Sequence, residues 1–221
     1  MSLAAPVEHD ASADNPDPWV HTLTAPAAGP DAEGLDFALD TLSLHVHGNA
    51  DSHIDALCHV AYDGTLYNDM PADTWTSAGA GQLSIEATAG TGIAGRGVLL
   101  DIPRLRGSDW LEPGDHVTTA DLLEAEASQE VRIGTGDILF VRVGHRRRRI
   151  VLGPWDAAAT RAGLHPAAVE LLADRGIAVL GSDGNNDTAP SAADGVEFPV
   201  HVLALRDRHI LTPIGHAALL S

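Results

Sequence analysis

The sequence predicts a single α/β domain with a central mixed sheet, because continuous apolar segments alternate with amphipathic ones along most of the chain. Its 221 residues are enough for one domain with a sizeable core. A hydrophobic content of 44% and a charged content of 20% are ordinary for a globular protein. No repeat or coiled-coil pattern indicates another architecture.

The first 38 residues differ in composition from the rest of the chain. They are rich in Ala, Pro, Asp and Gly, which predicts an extended N-terminal arm (residues 1–38) before the α/β domain (residues 39–221). Residues 39–47 alternate in polarity and predict the first strand of that domain. Residues 60–76 are rich in turn formers, and Asp63-Gly64 predicts a tight turn among them.

Continuous apolar segments predict the remaining strands. Three are typical of strands buried on both faces: VLLDI at 98–102, GDILFVRV at 136–143 and IAVLGSD at 177–183. Two more are expected to follow as strands near the C-terminal end: VHVLAL at 200–205 and HILTPI at 209–214.

Two amphipathic segments between these strands predict helices. Thr118 or Thr119 is expected to cap a helix over residues 120–129, which has acidic residues at its start and apolar ones three or four apart. Pro166 suits the first turn of a second helix, which is expected to end at Gly176.

Charge and cysteine content exclude several classes of protein. A formal net charge of −18 argues against a nucleic-acid partner, since phosphates would be repelled. The short basic run Arg146–Arg149 is interpreted as a solvated loop or turn, or else as a contact with an acidic patch on a neighbouring subunit. The single cysteine, Cys58, excludes an internal disulfide and is expected to be a small buried thiol rather than a nucleophile. With no membrane-spanning segment or signal peptide in the sequence, we expect a cytoplasmic protein without a membrane partner.

The segment HGNADSHIDALCH, at residues 47–59, concentrates groups that can bind a divalent cation. His53 and Asp55 are two residues apart, so both side chains would leave the same face of a strand. An imidazole beside a carboxylate suits Zn²⁺ or Mn²⁺ better than Ca²⁺ or Mg²⁺. His59 could reach the same cavity without binding the metal. The alternative interpretation is a group of surface histidines in a loop with a capping aspartate.

These residues resemble a known family. The stretch SHIDALCHVAYDGTLYND is similar to the signature of the metal-dependent cyclase family, which includes bacterial kynurenine formamidases and isatin hydrolases, and in particular to its DAL(C/A)H branch. Further blocks resemble the family in the expected order: GRGVLLDIPRLRG, GDILFVRVGH, AGLHPAAVELLADRGIAVLGSDG and FPVHVLAL. The resemblance implies a swivelling β/α/β fold, a bound Zn²⁺ or Mn²⁺, and a homodimer or homotetramer with sites near the subunit contacts.

The resemblance also implies roles for individual residues. His53 and Asp55 match metal ligands, and His59 matches the general base or acid. His201 matches a later ligand, at a second metal position, but it could equally be a core histidine in an apolar strand. The family's first histidine falls on Asn49 here, so either His47 or Asp51 could replace it.

One departure limits the number of metal ions. The family usually carries an acid about a dozen residues after the late histidine, but the corresponding residues 211–214 contain none. One metal ion per chain is therefore expected, held by His53 and Asp55 with His47 or His201 completing the set. Asp183 and Asp187, after the strand at 177–183, are interpreted as turn residues.

These residues predict a metal-dependent hydrolase that acts on a small cyclic or aryl amide. The metal would supply hydroxide and polarise the carbonyl group, and His59 would pass a proton to the leaving nitrogen. One alternative is a ring-closing cyclase or dehydratase in natural-product biosynthesis, which needs no activated water. Another is a non-catalytic relative that keeps the fold for binding.

Overall fold

The computed structural model describes residues 4–24, 34–208, 210 and 212–214. Of residues 212–214 it describes the backbone alone. The strands found there are β1 (Val20–Thr24), β2 (Leu39–Ser43), β3 (His53–Asp55), β4 (Trp75–Thr76), β5 (Gly79–Ala80), β6 (Gly97–Asp101), β7 (His116–Val117), β8 (Ile138–Arg142), β9 (Gly163–Leu164), β10 (Val179–Ser182) and β11 (Thr212–Ile214). The α-helices are α1 (Glu86–Ala89), α2 (Ile102–Leu105), α3 (Thr119–Ser128), α4 (His145–Leu152), α5 (Pro166–Asp174) and α6 (Pro199–His201). Short 3₁₀ turns lie at Tyr67–Asp69 and Ala72–Thr74, and α6 continues as a π-helical turn over Val202–Asp207.

A mixed five-stranded sheet, in the order β3-β11-β10-β8-β6, forms the centre of the fold. The strands from β6 to β11 in this sheet are parallel, and β3 pairs antiparallel to β11 at the edge. Leu100, Leu139 and Leu180 of the sheet are fully buried, together with apolar side chains of α3 and α5. The predicted α/β domain with a central mixed sheet is therefore confirmed, as are the three predicted central strands.

Both predicted central helices begin and end where their local sequence indicates. Thr118 caps α3: its side chain accepts a hydrogen bond from the backbone of Asp121, whose carboxylate accepts one from Thr118 in return. Pro166 opens α5, and Gly176 follows its end with a positive φ of 69°. The predicted turn at Asp63-Gly64 is also present, with positive φ at both residues.

The segment at 200–205, expected to be a strand, is helical instead. Pro199 lies at the start of α6, where its fixed φ and missing N–H are tolerated. The carboxylate of Asp187 accepts hydrogen bonds from the backbone N–H groups of Val200 (2.6 Å) and His201 (3.0 Å). This cap, from a residue distant in sequence, satisfies the N–H donors at the start of the helix. The apolar pattern of residues 200–205 contains no sign of it and therefore predicted a strand where the structure has a helix. In the segment at 209–214, residues 212–214 form β11, whereas 209 and 211 lie outside the described residues.

The basic run is also not the loop or turn that was expected. Arg146–Arg149 lie within α4, and their acidic partners belong to the same chain. Arg149 donates to Glu8 (Nη1 to Oε1, 2.7 Å) and to Asp14. Arg146 reaches Glu8 as well, at 3.2 Å. Two acidic residues of the N-terminal segment therefore attach it to α4.

The boundary placed at residues 38/39 falls between two paired strands. β1, from the proposed arm, pairs antiparallel with β2 of the proposed domain, from Val20 opposite Ser43 to Thr24 opposite Leu39. Every residue of both strands is exposed. By contrast, Asp14 and Asn15, earlier in the arm, are buried. Within the described ranges, no helix has the length and apolar character needed to cross a lipid bilayer.

Candidate metal centre and its cavity

Asp55, at the end of the edge strand β3, lies at the centre of a group of histidines. Its side chain is completely buried, and its backbone is opposite Thr212 of β11. His53 leaves the same face of the strand, as its spacing predicts, with Nε2 3.7 Å from Asp55 Oδ1. The other ring nitrogen of His53, Nδ1, lies 2.9 Å from the backbone carbonyl of Asp51. An Nδ1–H donated to that carbonyl leaves the Nε2 lone pair directed towards Asp55, an arrangement typical of metal-binding histidines.

His47 completes a set of three possible ligands. Its Nδ1 atom is 3.1 Å from Asp55 Oδ1, and one donor atom from each of His47, His53 and Asp55 lies within 4.8 Å of the others. Of the candidates for the first ligand position, the structure brings His47 into this group and leaves Asp51 outside it. Asp51 turns its carboxylate to the backbone N–H of Glu8 (3.4 Å). Asn49 lines the adjoining cavity.

His59 lies beside the set without belonging to it. Its Nε2 atom is 3.7 Å from Asp55 Oδ1, and its ring stacks on that of His47 with 4.1 Å between centroids. Burial lowers the pKa of His59 and that of His53, and the neighbouring histidines add to the effect. The charge of Asp55 opposes it at both residues, as does the hydrogen bond with the Asp51 backbone at His53. At neutral pH, His59 is therefore an uncharged imidazole that can accept a proton.

His201 lies near the other carboxylate oxygen of Asp55. Its Nε2 atom is 3.5 Å from Asp55 Oδ2, while its Nδ1 atom is bonded to a carboxylate oxygen of Asp187. Burial would lower the pKa of His201, but hydrogen bonds with Asp187 and Asp55 outweigh it and raise the pKa to about 9. The pKa of Asp55 is lowered, since the hydrogen bond from His201 and the charges of His59, His201 and His53 together exceed the opposing effect of burial. In this arrangement His201 is a charged partner of Asp55, and it would have to lose its Nε2 proton to become a ligand.

Asp187 is more than the turn residue that was expected. It is fully buried, orients the ring of His201 and caps α6. Gly163 of β9 lies so close to this loop that a Cβ atom there would be 2.5 Å from the carbonyl carbon of Asp187. Asp183, also buried, accepts hydrogen bonds from the backbone of Val143 and Gly144, so it fixes the turn between β8 and α4. Nothing near either aspartate in the sequence indicates these long-range contacts.

A cavity of about 470 Å³ opens beside the histidines. Its lining includes His53, His59 and His201, and aromatic surface from Tyr62 and Phe198. Polar groups that the sequence did not single out also line it: Arg161, Asn185 and Glu197. The volume is that of a small-molecule site, and the mixture of apolar walls with a few polar groups is usual for one.

Cys58 lies outside this cavity. It is half-buried, not fully buried as expected, and burial raises the pKa of its thiol. A raised pKa disfavours the thiolate, which agrees with the interpretation that Cys58 is not a nucleophile.

The fold and the site define an α/β protein with a histidine- and aspartate-lined centre at the edge of its sheet. The model of the Cyclase family matches residues 1–186, and the chain belongs to that family. The predicted family is thereby confirmed. No curated protein matches the chain.

Solved structures share the fold over nearly the whole chain. A structure described as a novel cyclase has 28% identity and a TM-score of 0.75, covering 97% of this chain and 72% of its own. An isatin hydrolase bound to the product analogue thioisatinate has 20% identity and a TM-score of 0.61, covering 100% of this chain and 79% of its own. A predicted metal-dependent hydrolase from Bacillus stearothermophilus has 16% identity and a TM-score of 0.57, covering 97% and 80%.

Proposed function

We propose that the protein is a metal-dependent hydrolase of a small cyclic or aryl amide. The observation that carries this proposal is the grouping of His47, His53 and Asp55 at the wall of a small-molecule cavity, with His59 beside them. The similarity to an isatin hydrolase and to a metal-dependent hydrolase supports it at the level of the fold.

The donor set fits a single Zn²⁺ or Mn²⁺ ion. Two imidazoles and one carboxylate are the ligand types that these cations accept, and the buried carboxylate supplies negative charge away from water. A divalent cation in such a site polarises carbonyl groups and acidifies water. One ion per chain is proposed, with His201 as a hydrogen-bond partner of Asp55 or a fourth ligand.

The residues of the cavity have separate roles in this proposal. His59, uncharged and next to the ligand set, accepts a proton from the attacking water and returns it to the leaving nitrogen. Tyr62 and Phe198 offer flat apolar surfaces for an aryl or cyclic substrate. Asp55, placed between four histidines, keeps the ligand set together.

Metal analysis combined with two substrates tests the proposal. Purified protein is analysed for bound metal by mass spectrometry and assayed with isatin and with N-formylkynurenine. One equivalent of Zn or Mn together with hydrolysis of either amide supports the proposal. Tightly bound metal without turnover of a wider panel of cyclic and aryl amides favours a ring-closing cyclase or dehydratase. Absence of bound metal and of turnover favours a non-catalytic relative.

We also propose that the protein is a homo-oligomer. The β1–β2 ribbon exposes apolar side chains to solvent. Among them are Leu23, Leu39 and Leu42, each more than 60% exposed. A two-stranded ribbon without a covered face is marginally stable by itself. A second copy of the chain packed on the ribbon would cover these side chains, and symmetric dimers are the commonest such assembly.

A further inference from the structure

Arg161 is a buried arginine in the wall of the cavity. Its exposed fraction is 2%, and it borders the same space as His59 and His201. Its backbone is fixed by two hydrogen bonds with Ala189, each 3.0 Å long. The fold therefore fixes both the backbone position of Arg161 and the burial of its side chain.

The guanidinium of Arg161 is bonded only to neutral groups. Nε donates to the backbone carbonyl of Asp187 (2.9 Å), and Nη1 donates to the carbonyls of Ala157 (3.0 Å) and Ala158 (3.1 Å). Within the described part of the chain, Nη2 makes no hydrogen bond, and no carboxylate oxygen lies within 4.0 Å of this guanidinium. Two other largely buried arginines differ in this respect: Arg142 pairs with Asp101, and Arg149 with Glu8 and Asp14.

A buried positive charge without a counter-charge is unfavourable, and proteins usually compensate such charges with an anion. Burial lowers the pKa of Arg161 and outweighs the charges of Asp187 and Glu197, which raise it, although a guanidinium remains charged at any ordinary pH. The carboxylate of Asp187 is occupied by α6 and His201. Glu197 is exposed on the lining of the cavity, and its charge acts on Arg161, but among the described residues the two form no ion pair. The cavity is therefore where a compensating anion can approach Arg161.

Arg161 is close to the metal centre but separate from it. The residue whose carbonyl it binds, Asp187, is the one whose carboxylate holds His201 against Asp55. The ring of Phe198 is near both Arg161 and His201: its centroid is 5.1 Å from the Arg161 Cζ atom and 5.8 Å from the ring centroid of His201. A planar ligand beside Phe198 would thus lie in the same cavity as the Arg161 cation and the proposed metal ligand His53.

We propose that Arg161 binds an anionic group of the substrate, so that the preferred substrates are aryl amides that carry a carboxylate besides the amide that is cleaved. This inference rests on the proposed hydrolase function, whose substrate class it narrows. The planar fork of a guanidinium matches a carboxylate better than any neutral group. Glu197, at the lining of the cavity, opposes the anion weakly by repulsion.

A binding experiment tests this inference without turnover. Benzoate and nitrobenzene have nearly the same planar shape, but only benzoate is charged. Calorimetric titration of the protein as isolated is expected to show benzoate binding more tightly by about tenfold to a hundredfold, the usual advantage of charge-assisted hydrogen bonds. The preference should persist after removal of metal with a chelator, and it should disappear in Arg161→Gln. Equal affinities for the two probes would overturn the inference, as would a preference that requires metal and survives in Arg161→Gln.

Glu197→Gln keeps the test decisive if Arg161→Gln fails to fold. Arg161 holds two loops through backbone carbonyls, whereas Glu197 is exposed and its replacement leaves those bonds intact. Removing its charge is expected to tighten benzoate binding by about two- to fivefold and to leave nitrobenzene unchanged. Glu170→Gln, at an exposed position of α5, makes the same charge change and should alter neither affinity. Benzoate binding that does not respond to Glu197→Gln would count against an anion site here. Because neither probe is hydrolysed, failure of the hydrolase proposal would not affect these outcomes.

Discussion

The carboxylate of Asp187 holds both the backbone N–H (3.0 Å) and the ring Nδ1 of His201, fourteen residues later in the chain. One buried side chain thus starts a helix and sets the direction of an imidazole that faces Asp55. Because these tasks use the same two oxygen atoms, the ring of His201 cannot turn without disturbing the start of α6.

We predict that Asp187→Asn destabilises the fold. An amide cannot accept with both of its polar atoms, so at least one buried donor of α6 or of His201 is left without its partner. The free energy of unfolding should fall by roughly 2–4 kcal/mol, since hydrogen bonds to a buried charged group are among the strong ones. Urea unfolding followed by circular dichroism measures the change. Asp194→Asn, at an exposed position, is the control and should shift the midpoint little; equal shifts for the two variants would contradict the role given to Asp187.

Metal retention should depend on the ligand set alone. We predict that His53→Ala and Asp55→Ala abolish it and that His47→Ala weakens it, because each removes one of three grouped donors. Metal content is measured on each purified variant after dialysis. His45→Ala is the matched control: His45 is exposed, two residues from His47, and outside the three-donor group. Loss of metal from His45→Ala, or full retention in Asp55→Ala, would show that the group is not the binding site.

Substitution of His59 should impair turnover without impairing metal binding. We predict that His59→Ala retains the metal but loses turnover by about 10²–10⁴-fold, the usual contribution of a general acid or base. Metal content and the rate of amide hydrolysis are measured on the same preparation. If His59→Ala loses the metal as well, His59 is a ligand and its role as proton carrier is wrong.

The parts of the fold that were predicted correctly are those whose determinants are adjacent in sequence. Thr118 and Asp121 form a capping box within four residues, and Pro166 and Gly176 delimit α5 without help from elsewhere. His53 and Asp55 likewise share a strand face because of their spacing alone. Local propensity and periodicity are sufficient for such elements.

The errors occur where a distant residue decides the outcome. The helix at 199–201 depends on Asp187, and the Arg146–Arg149 run depends on acidic residues more than 130 positions earlier. The proximity of His47 to Asp55 depends on the path of the loop before β3, which the sequence does not specify. Arg161 was missed because a single arginine between Thr160 and Ala162 looks like any surface arginine in the sequence, and only its burial distinguishes it.

The contact between the N-terminal segment and α4 should respond to acid. Hydrogen bonds from Arg149 lower the pKa of Glu8; they and a further one from Ser12 outweigh burial and lower that of Asp14. A carboxyl group whose pKa is lower in the folded state adds stability above its unfolded pKa of about 4, and this stability is lost as the pH falls through the folded value. We therefore predict that unfolding midpoints of the native sequence fall between about pH 5 and pH 3 more steeply than those of Arg149→Gln. Arg147→Gln, at an exposed position of the same helix, should retain the native slope. Identical slopes for all three proteins would contradict the prediction.

Light scattering should show an oligomer whose interface includes the β1–β2 ribbon. At micromolar concentration the mass is expected to be a multiple of the 23.0 kDa chain. Leu42 is 68% exposed, and Leu42→Asp would place a charge among apolar side chains that a second copy is proposed to cover, so this variant should shift towards monomer. Leu123→Asp is the control, since Leu123 is an exposed leucine (44%) on α3, away from the ribbon, and its replacement should leave the mass unchanged. A monomeric native protein would remove the proposed assembly altogether. An oligomer that tolerates Leu42→Asp would instead place the interface on another surface and leave the ribbon without a role in it.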